Sequence, residues 1–88
     1  MKIKEGFILR KVGIQYVVAA VGAAAECFDG MLRLNETGAF LFETLSGECT
    51  EADLVKALLE NYEVDEQTAG NGVKKFLASI REVNALEA

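Results

Sequence analysis

The spacing of apolar residues changes abruptly at Asn35, and no other feature of the sequence constrains the fold as strongly. Before this position, Leu32 and Leu34 are two residues apart, as on one face of a β-strand. After it, Leu41 and Leu45 are four residues apart, as on one face of an α-helix. Because the side-chain oxygen of asparagine can accept a hydrogen bond from a free N–H of the first helical turn, Asn35 is predicted to cap that helix. The sequence therefore predicts a strand that ends directly at a helix N-terminus.

Two β-rich segments precede this strand. They cover residues 7–12 and 14–21 and are separated by Gly13, which can supply the backbone conformation of a tight turn, so we expect a hairpin. The third strand is predicted over residues 30–34, after a loop over residues 22–26. Because three short strands cannot close into a barrel, at least one edge of the predicted sheet keeps unpaired N–H and C=O groups. An extended peptide can bind such an edge as an additional strand.

Three helices are predicted after Asn35. The second begins with a capping box formed by Thr50 and Asp53, and the third begins after Asp65, which is another capping residue. The predicted helices cover residues 36–45, 51–61 and 66–83. Three strands followed by three helices indicate an α+β fold, which we expect to form one domain over residues 1–88.

The composition narrows the classes of partner. Among 88 residues, 14 acids outnumber 9 bases, and the net charge of −5 disfavours nucleic acid and anionic membranes as partners. No apolar run reaches the roughly 18 residues that span a membrane, and the N-terminus lacks the apolar core of a signal peptide. We therefore expect a cytoplasmic protein.

The reactive side chains are too few to indicate catalysis. The chain has no histidine, and Cys27 and Cys49 lie outside any metal-binding spacing, so no metal site is predicted. Neither cysteine has the sequence context of an activated nucleophile. Acidic residues such as Glu36 and Asp53 stand at helix starts, where capping and the helix dipole explain them. We predict a binding protein that uses no cofactor and is not an enzyme.

The order of these motifs resembles the PqqD-like family. The resemblance is carried by the run Leu34–Gly38, the turn Ser46–Glu48, the segment Thr50–Val55, the step Tyr62–Asp65 and the closing apolar helix Val73–Val83. This family takes its name from a small protein of pyrroloquinoline quinone biosynthesis and is the type case of the recognition element of ribosomally made, modified peptides, the RiPP recognition element. The resemblance implies a winged-helix-like domain that binds the N-terminal leader of a precursor peptide. It also implies delivery of that peptide to a modifying enzyme, usually a radical SAM maturase.

The resemblance further implies where the peptide lies, since the family's leader pairs with the third strand and lies against the third helix. Carried onto this chain, the implied peptide-binding residues are Gly30, Met31, Leu32, Arg33, Leu34, Val73, Lys74, Leu77, Ile80 and Arg81. By strand alternation, Leu32 and Leu34 face the core and offer a peptide only their backbone groups. Met31 and Arg33 then face the other way and are free to meet a ligand.

Other interpretations stay open at the level of sequence. The alternatives are a winged-helix protein that binds DNA and a regulatory protein, although both the order of elements, which differs from common DNA-binding winged helices, and the acidic composition argue against DNA. An unpaired sheet edge can also pair with a second copy of the chain, which would give a homodimer. Lys74, Lys75 and Arg81 either attract an acidic leader or form an ordinary solvated face.

Overall fold

The structure is a computed structural model that describes residues 1–22, 25 and 31–87. Within these residues, the strands are β1 (Lys2–Ile3), β2 (Phe7–Val12), β3 (Gln15–Ala20), β4 (Met31–Leu34) and β5 (Leu86–Glu87), and the helices are α1 (Glu36–Thr44), α2 (Glu51–Asn61) and α3 (Glu66–Glu82). The predicted α+β fold, with a three-stranded antiparallel sheet followed by three helices, is confirmed. A second sheet, formed by β1 and β5, was not expected from the sequence.

The larger sheet is antiparallel, and β3 lies between β2 and β4. Its hairpin pairs Val12 with Gln15, which leaves Gly13 and Ile14 as a two-residue turn. Gly13 has a φ of 64°, a conformation that residues with a Cβ rarely adopt. The second strand of the hairpin therefore begins at Gln15 and not at residue 14 as predicted, because Ile14 is part of the turn.

The two faces of this sheet have different surroundings. Val18 pairs with Leu32 on the face that contributes to the hydrophobic core, and Val18 is completely buried. Val17 lies on the opposite face, between its cross-strand neighbours Arg10 and Arg33. The side chain of Arg33 is therefore directed away from the core, as strand alternation predicts.

Each helix begins with a side-chain cap of the predicted type. The Gly38 N–H donates to Asn35 Oδ1 (2.7 Å) at the start of α1. In α2, the Asp53 N–H donates to Thr50 Oγ1 (3.1 Å), and the Thr50 N–H donates to Asp53 Oδ2 (2.9 Å), which completes the capping box. Asp65 caps α3 through its side chain. These caps fix where each helix starts, because they satisfy N–H groups that have no partner within the helix.

One hydrophobic core lies between the sheet and the helices. Its buried members are Phe7, Val18, Leu41, Phe42, Leu45, Leu54, Leu58, Ala69, Val73, Phe76, Leu77, Ile80 and Ala85. Among the described residues, no polar or charged side chain is buried. Apolar burial therefore holds the described part of the fold together, at about 25 cal/mol per Å² of surface removed from water.

Helix α3 ends in a Schellman motif. The Ala85 N–H donates to Ile80 O (2.9 Å), and the Asn84 N–H donates to Arg81 O (3.0 Å). Asn84 has a φ of 61°, the left-handed conformation that this motif requires after the helix and that asparagine tolerates better than most residues. The motif turns the chain back toward β5.

The second sheet, which we call the terminal sheet, joins two distant parts of the sequence. Ile3 pairs with Leu86, and the Lys4 N–H donates to Ala85 O (2.8 Å). The Ile3 N–H donates to Leu45 O (3.0 Å) at the end of α1. The first residues of the chain are therefore tied both to α1 and to the segment that follows α3.

In the described part of the chain, no helix has the length and hydropathy needed to span a membrane.

Candidate functional site

Strand β4 is an edge of the larger sheet. Among the described strands, it pairs with β3 on one side and with no strand on the other. In an antiparallel pair, alternate residues direct both their N–H and C=O groups away from the partner strand. Two of the four residues Met31–Leu34 therefore present backbone donors and acceptors at the open edge.

A groove lies beside this edge, between the end of β4 and the side of α3. It encloses a cavity of about 220 Å³. The lining residues are Arg33, Leu34, Asn35, Thr37, Gly38, Gly72, Lys75, Phe76 and Ser79. We call this feature the β4–α3 groove. Its walls come from a strand end, the first turn of α1 and one side of α3, so three elements must be in place for it to form.

The groove combines an apolar base with a basic rim. Phe76 is 5% exposed and belongs to the core, and Leu34 is half-buried and packs against the core. Arg33 and Lys75 are exposed, and among the described residues they are the only charged ones that line the cavity. The groove is therefore locally positive on a chain whose net charge is −5.

The first turn of α1 closes one end of the groove because residue 38 is glycine. A Cβ at Gly38 would lie 3.0 Å from Asn35 Oδ1 and 3.3 Å from Leu34 Cβ. The cap oxygen of Asn35 also accepts from Thr37 Oγ1 (3.1 Å). The glycine of the Leu34–Gly38 run thus permits close packing of the helix start against the strand end.

The predicted strand residues occupy different positions relative to the groove. Arg33 and Leu34 line it, while Leu32 is half-buried against the core. Met31 is 70% exposed and lies on the outer face with Arg33. Gly30 lies outside the described residues.

The predicted helix residues are not among those that line the groove. Val73, Leu77 and Ile80 are at most 1% exposed and belong to the core, so a peptide has no access to their side chains in this structure. Lys74 and Arg81 are exposed but are absent from the lining.

The helix wall is formed instead by Gly72, Lys75, Phe76 and Ser79. These residues follow the i, i+3, i+4, i+7 spacing of a single helix face. At 100° per residue, Lys75 lies on one side of the buried stripe of α3, and Lys74 lies on the other side. The 3.6-residue period could have separated these two sides, but only the position of β4 decides which of them borders the groove.

A second cleft lies beside the opposite sheet edge, β2. It encloses about 330 Å³ and is lined by Ile3, Lys4, Phe7, Leu9, Phe42, Glu43 and Ser46. Its rim carries both an acid and a base, and the Lys4 ammonium already donates to Asn84 Oδ1 (3.0 Å). This cleft was not expected from the sequence.

The described residues offer no arrangement typical of a metal centre. Within residues 1–22, 25 and 31–87, no cluster of three or more His, Cys, Asp or Glu side chains is placed to hold a metal ion. Cys49 is half-buried, and its Sγ donates to Thr44 O (3.4 Å). Cys27 lies outside the described residues.

Comparisons with known proteins agree with the observed architecture. The sequence model of the family described as coenzyme PQQ synthesis protein D (PqqD) matches residues 13–86. A solved structure of TbiB1 in complex with the TbiA(beta) leader peptide superposes with a TM-score of 0.76 at 19% identity, covering 100% of this chain and 96% of that one. A lasso peptide synthetase B1 complexed with the leader peptide gives a TM-score of 0.72 at 18% identity, covering 99% of this chain and 96% of that one. No curated protein matches the sequence.

Proposed function

The chain belongs to the family of coenzyme PQQ synthesis protein D, and from this premise we propose that it is a RiPP recognition element that binds the leader of a ribosomally made precursor peptide. The observation that carries the proposal is the open edge of β4 beside the β4–α3 groove. Two proteins of similar fold are described in complex with leader peptides, which supports the same use of this fold here.

Binding occurs by strand addition to β4. The backbone of an extended leader satisfies the open N–H and C=O groups of Met31–Leu34, each net hydrogen bond being worth about 1 kcal/mol. Side chains on one face of the added strand point into the β4–α3 groove, where they meet Phe76 and Lys75. Backbone pairing supplies affinity, and the groove supplies selectivity.

The β4 edge is preferred over the β2 edge for this role. The cleft beside β2 is bordered by Ile3 and Lys4, whose N–H groups already bond to Leu45 and Ala85. It also carries Glu43 on its rim. The described lining of the β4–α3 groove contains no acid, and the groove places a helix face beside the open edge.

The protein acts by delivery and not by catalysis. A domain that holds the leader raises the effective concentration of the attached core peptide at a modifying enzyme, to the millimolar range for short flexible linkers. The family resemblance favours a radical SAM maturase as that enzyme. Since precursor peptides are made on cytoplasmic ribosomes, we place the protein in the cytoplasm and treat residues 1–88 as a single peptide-binding domain.

An amide NMR titration tests the proposal. The ligand is the leader portion of the short peptide encoded nearest to this protein. We expect saturable shifts at Met31–Leu34 and Gly72–Ser79, and small shifts at Lys4, Glu43 and Ser46 in the second cleft. Shifts confined to the second cleft, or none at saturating peptide, would contradict the proposal.

Peptides with single N-methyl groups provide a matched control for strand addition. In a paired strand, only alternate N–H groups face the partner. Methylation of a residue whose N–H faces β4 should abolish binding, whereas methylation of the next residue should leave most of it. Equal effects at neighbouring positions would exclude pairing through the backbone.

A further inference from the structure

Positive charge is concentrated on the larger sheet. Its strands contain Arg10, Lys11 and Arg33 and no acid. The remaining residues carry six bases and 14 acids, a net charge of −8. A negatively charged ligand is therefore attracted to the sheet and repelled by much of the rest of the surface.

The two basic residues of the β4–α3 groove are available to a ligand. Among the described residues, neither Arg33 nor Lys75 forms an ion pair. The nearest cross-strand neighbour of Arg33 is Val17, an apolar residue that is 6% exposed. Both cations therefore lack an acidic partner within the described part of the chain, and a ligand can supply one.

Strand geometry determines which ligand positions meet which residues. A residue opposite Arg33 on an added strand points to the same outer face as Arg33. Its two neighbours lie opposite Leu32 and Leu34 and point inward, toward the base formed by Leu34 and Phe76. This alternation is the same for a parallel and an antiparallel peptide.

We propose that the β4–α3 groove selects leader segments in which an acidic residue stands between two apolar residues, with Arg33 and Lys75 as the specificity-determining residues. The inference rests on the proposed function and names the class of peptide that the site takes. The apolar neighbours occupy the groove against Phe76, and the acid pairs with Arg33 across the strands. Lys75, at the helix wall, adds attraction for acids on the side of the peptide that faces α3.

Selection from a random peptide library tests the inference with the full chain as bait. The wild-type protein should enrich peptides with Asp or Glu between two apolar residues. Arg33→Glu should enrich Lys or Arg at that central position while keeping the apolar neighbours, and Lys75→Glu should reduce the enrichment of acids at positions that flank this triplet. Lys74→Glu is the matched control, because Lys74 is also exposed and adjacent in sequence but does not line the groove.

Affinities of synthetic peptides make the test quantitative. A central Glu should bind wild type about five- to ten-fold more tightly than a central Lys, and Arg33→Glu should reverse this order. The preference should weaken at high salt, because the pair lies at the surface. All substituted residues are exposed, so circular dichroism should report an unchanged fold for each variant.

The possible outcomes separate the two proposals. The specificity inference would be overturned if Arg33→Glu and Lys75→Glu still enriched peptides with a central acid. The proposed function would remain standing in that case. A loss of acid preference in Lys74→Glu equal to that in Lys75→Glu would overturn the assignment of Lys75. If the wild-type protein enriches no peptide, the proposed function fails and this inference fails with it.

Discussion

Asn35 couples the stability of α1 to the shape of the candidate site. Its side-chain oxygen accepts from the Gly38 N–H and from the Thr37 hydroxyl, and the same side chain lines the β4–α3 groove. A single asparagine therefore ends the strand, starts the helix and borders the cavity. This explains why the change in apolar spacing at this residue predicted the architecture correctly.

Removal of the Asn35 cap should lower the stability of the fold by a measurable amount. Asn35→Ala should lower the free energy of unfolding by about 1 kcal/mol, because an N–H of the first turn loses its acceptor. Asn35→Asp should retain most of the stability, since a carboxylate is an equally good cap and complements the helix dipole. Urea unfolding of the three proteins gives both differences, and an Asn35→Ala variant as stable as the wild type would show that the cap contributes little.

Asp65 should make the stability of α3 dependent on pH. Hydrogen bonds from the Thr68 side chain and the Thr68 N–H hold the pKa of Asp65 below its usual value of 3.8. A carboxyl group with a lowered pKa in the folded state stabilises the fold above its unfolded pKa, and this contribution is lost as the pH falls through the folded pKa. Stability should therefore decline below about pH 4 in part because of this residue.

Asp65→Asn isolates that contribution, because asparagine caps a helix but does not titrate in this range. Urea unfolding at about pH 6 and about pH 3 should give a larger difference between wild type and Asp65→Asn at the higher pH. A difference that stays constant between the two values would mean that the Asp65 carboxylate has no special role in acid sensitivity.

Helix α3 shows what periodicity can predict and where it stops. The apolar spacing correctly identified Val73, Leu77 and Ile80 as one stripe, but that stripe is the core itself. The groove uses the border of the stripe, at Lys75 and Ser79, where the helix passes from core to solvent. A helix has two such borders, and the sequence does not state which one lies beside β4, because that depends on tertiary packing.

The two glycines of α3 allow the groove wall to be altered without damage to the core. Apart from the neighbouring residues and the helix's own nearby backbone, no heavy atom lies within 4 Å of a Cβ placed at Gly70 or at Gly72, so a Cβ meets open space at either position. Gly72 lines the groove and Gly70 does not. Replacement of a helical glycine by leucine removes a helix penalty of about 0.5 to 1 kcal/mol.

Gly72→Leu should therefore raise stability and weaken peptide binding in the same protein. We expect the Kd to rise by about ten-fold or more, because the leucine side chain occupies the space of the inward-pointing peptide residues. Gly70→Leu should gain similar stability and keep its affinity. Fluorescence anisotropy with a labelled leader and urea unfolding measure both quantities, and unchanged binding by Gly72→Leu would place the peptide elsewhere.

At the scale of the whole molecule, the main sheet and the helices followed from the sequence, but the terminal sheet did not. Strands β1 and β5 have two residues each, which is too short to show an alternating pattern. Their pairing joins Ile3 to Leu86, and no local signal reports a contact between positions so far apart. Asn84 was the available hint, since an asparagine after an apolar stripe is a usual site for the turn that ends a helix.

The terminal sheet should stabilise the fold without taking part in recognition. Hydrogen bonds from the N–H groups of Ile3 and Lys4 and from the Cys49 N–H to Met1 O tie the first residues to the rest. At about 1 kcal/mol each, their loss on deletion of residues 1–5 should lower the free energy of unfolding by about 3 kcal/mol. The residues that line the β4–α3 groove are all retained in this variant, so its folded fraction should bind peptide with the wild-type Kd.

Unfolding free energies of the two single deletions and of the double deletion show whether the two ends of the chain stabilise the fold together or independently. Because β1 and β5 pair with each other, deletion of residues 86–88 from the shortened chain should cost less than the same deletion from the full chain. Additive losses would show that the two strands act independently. A weaker peptide Kd in the folded part of either variant would show that the terminal sheet is coupled to the groove, since α3 and α1 contact both.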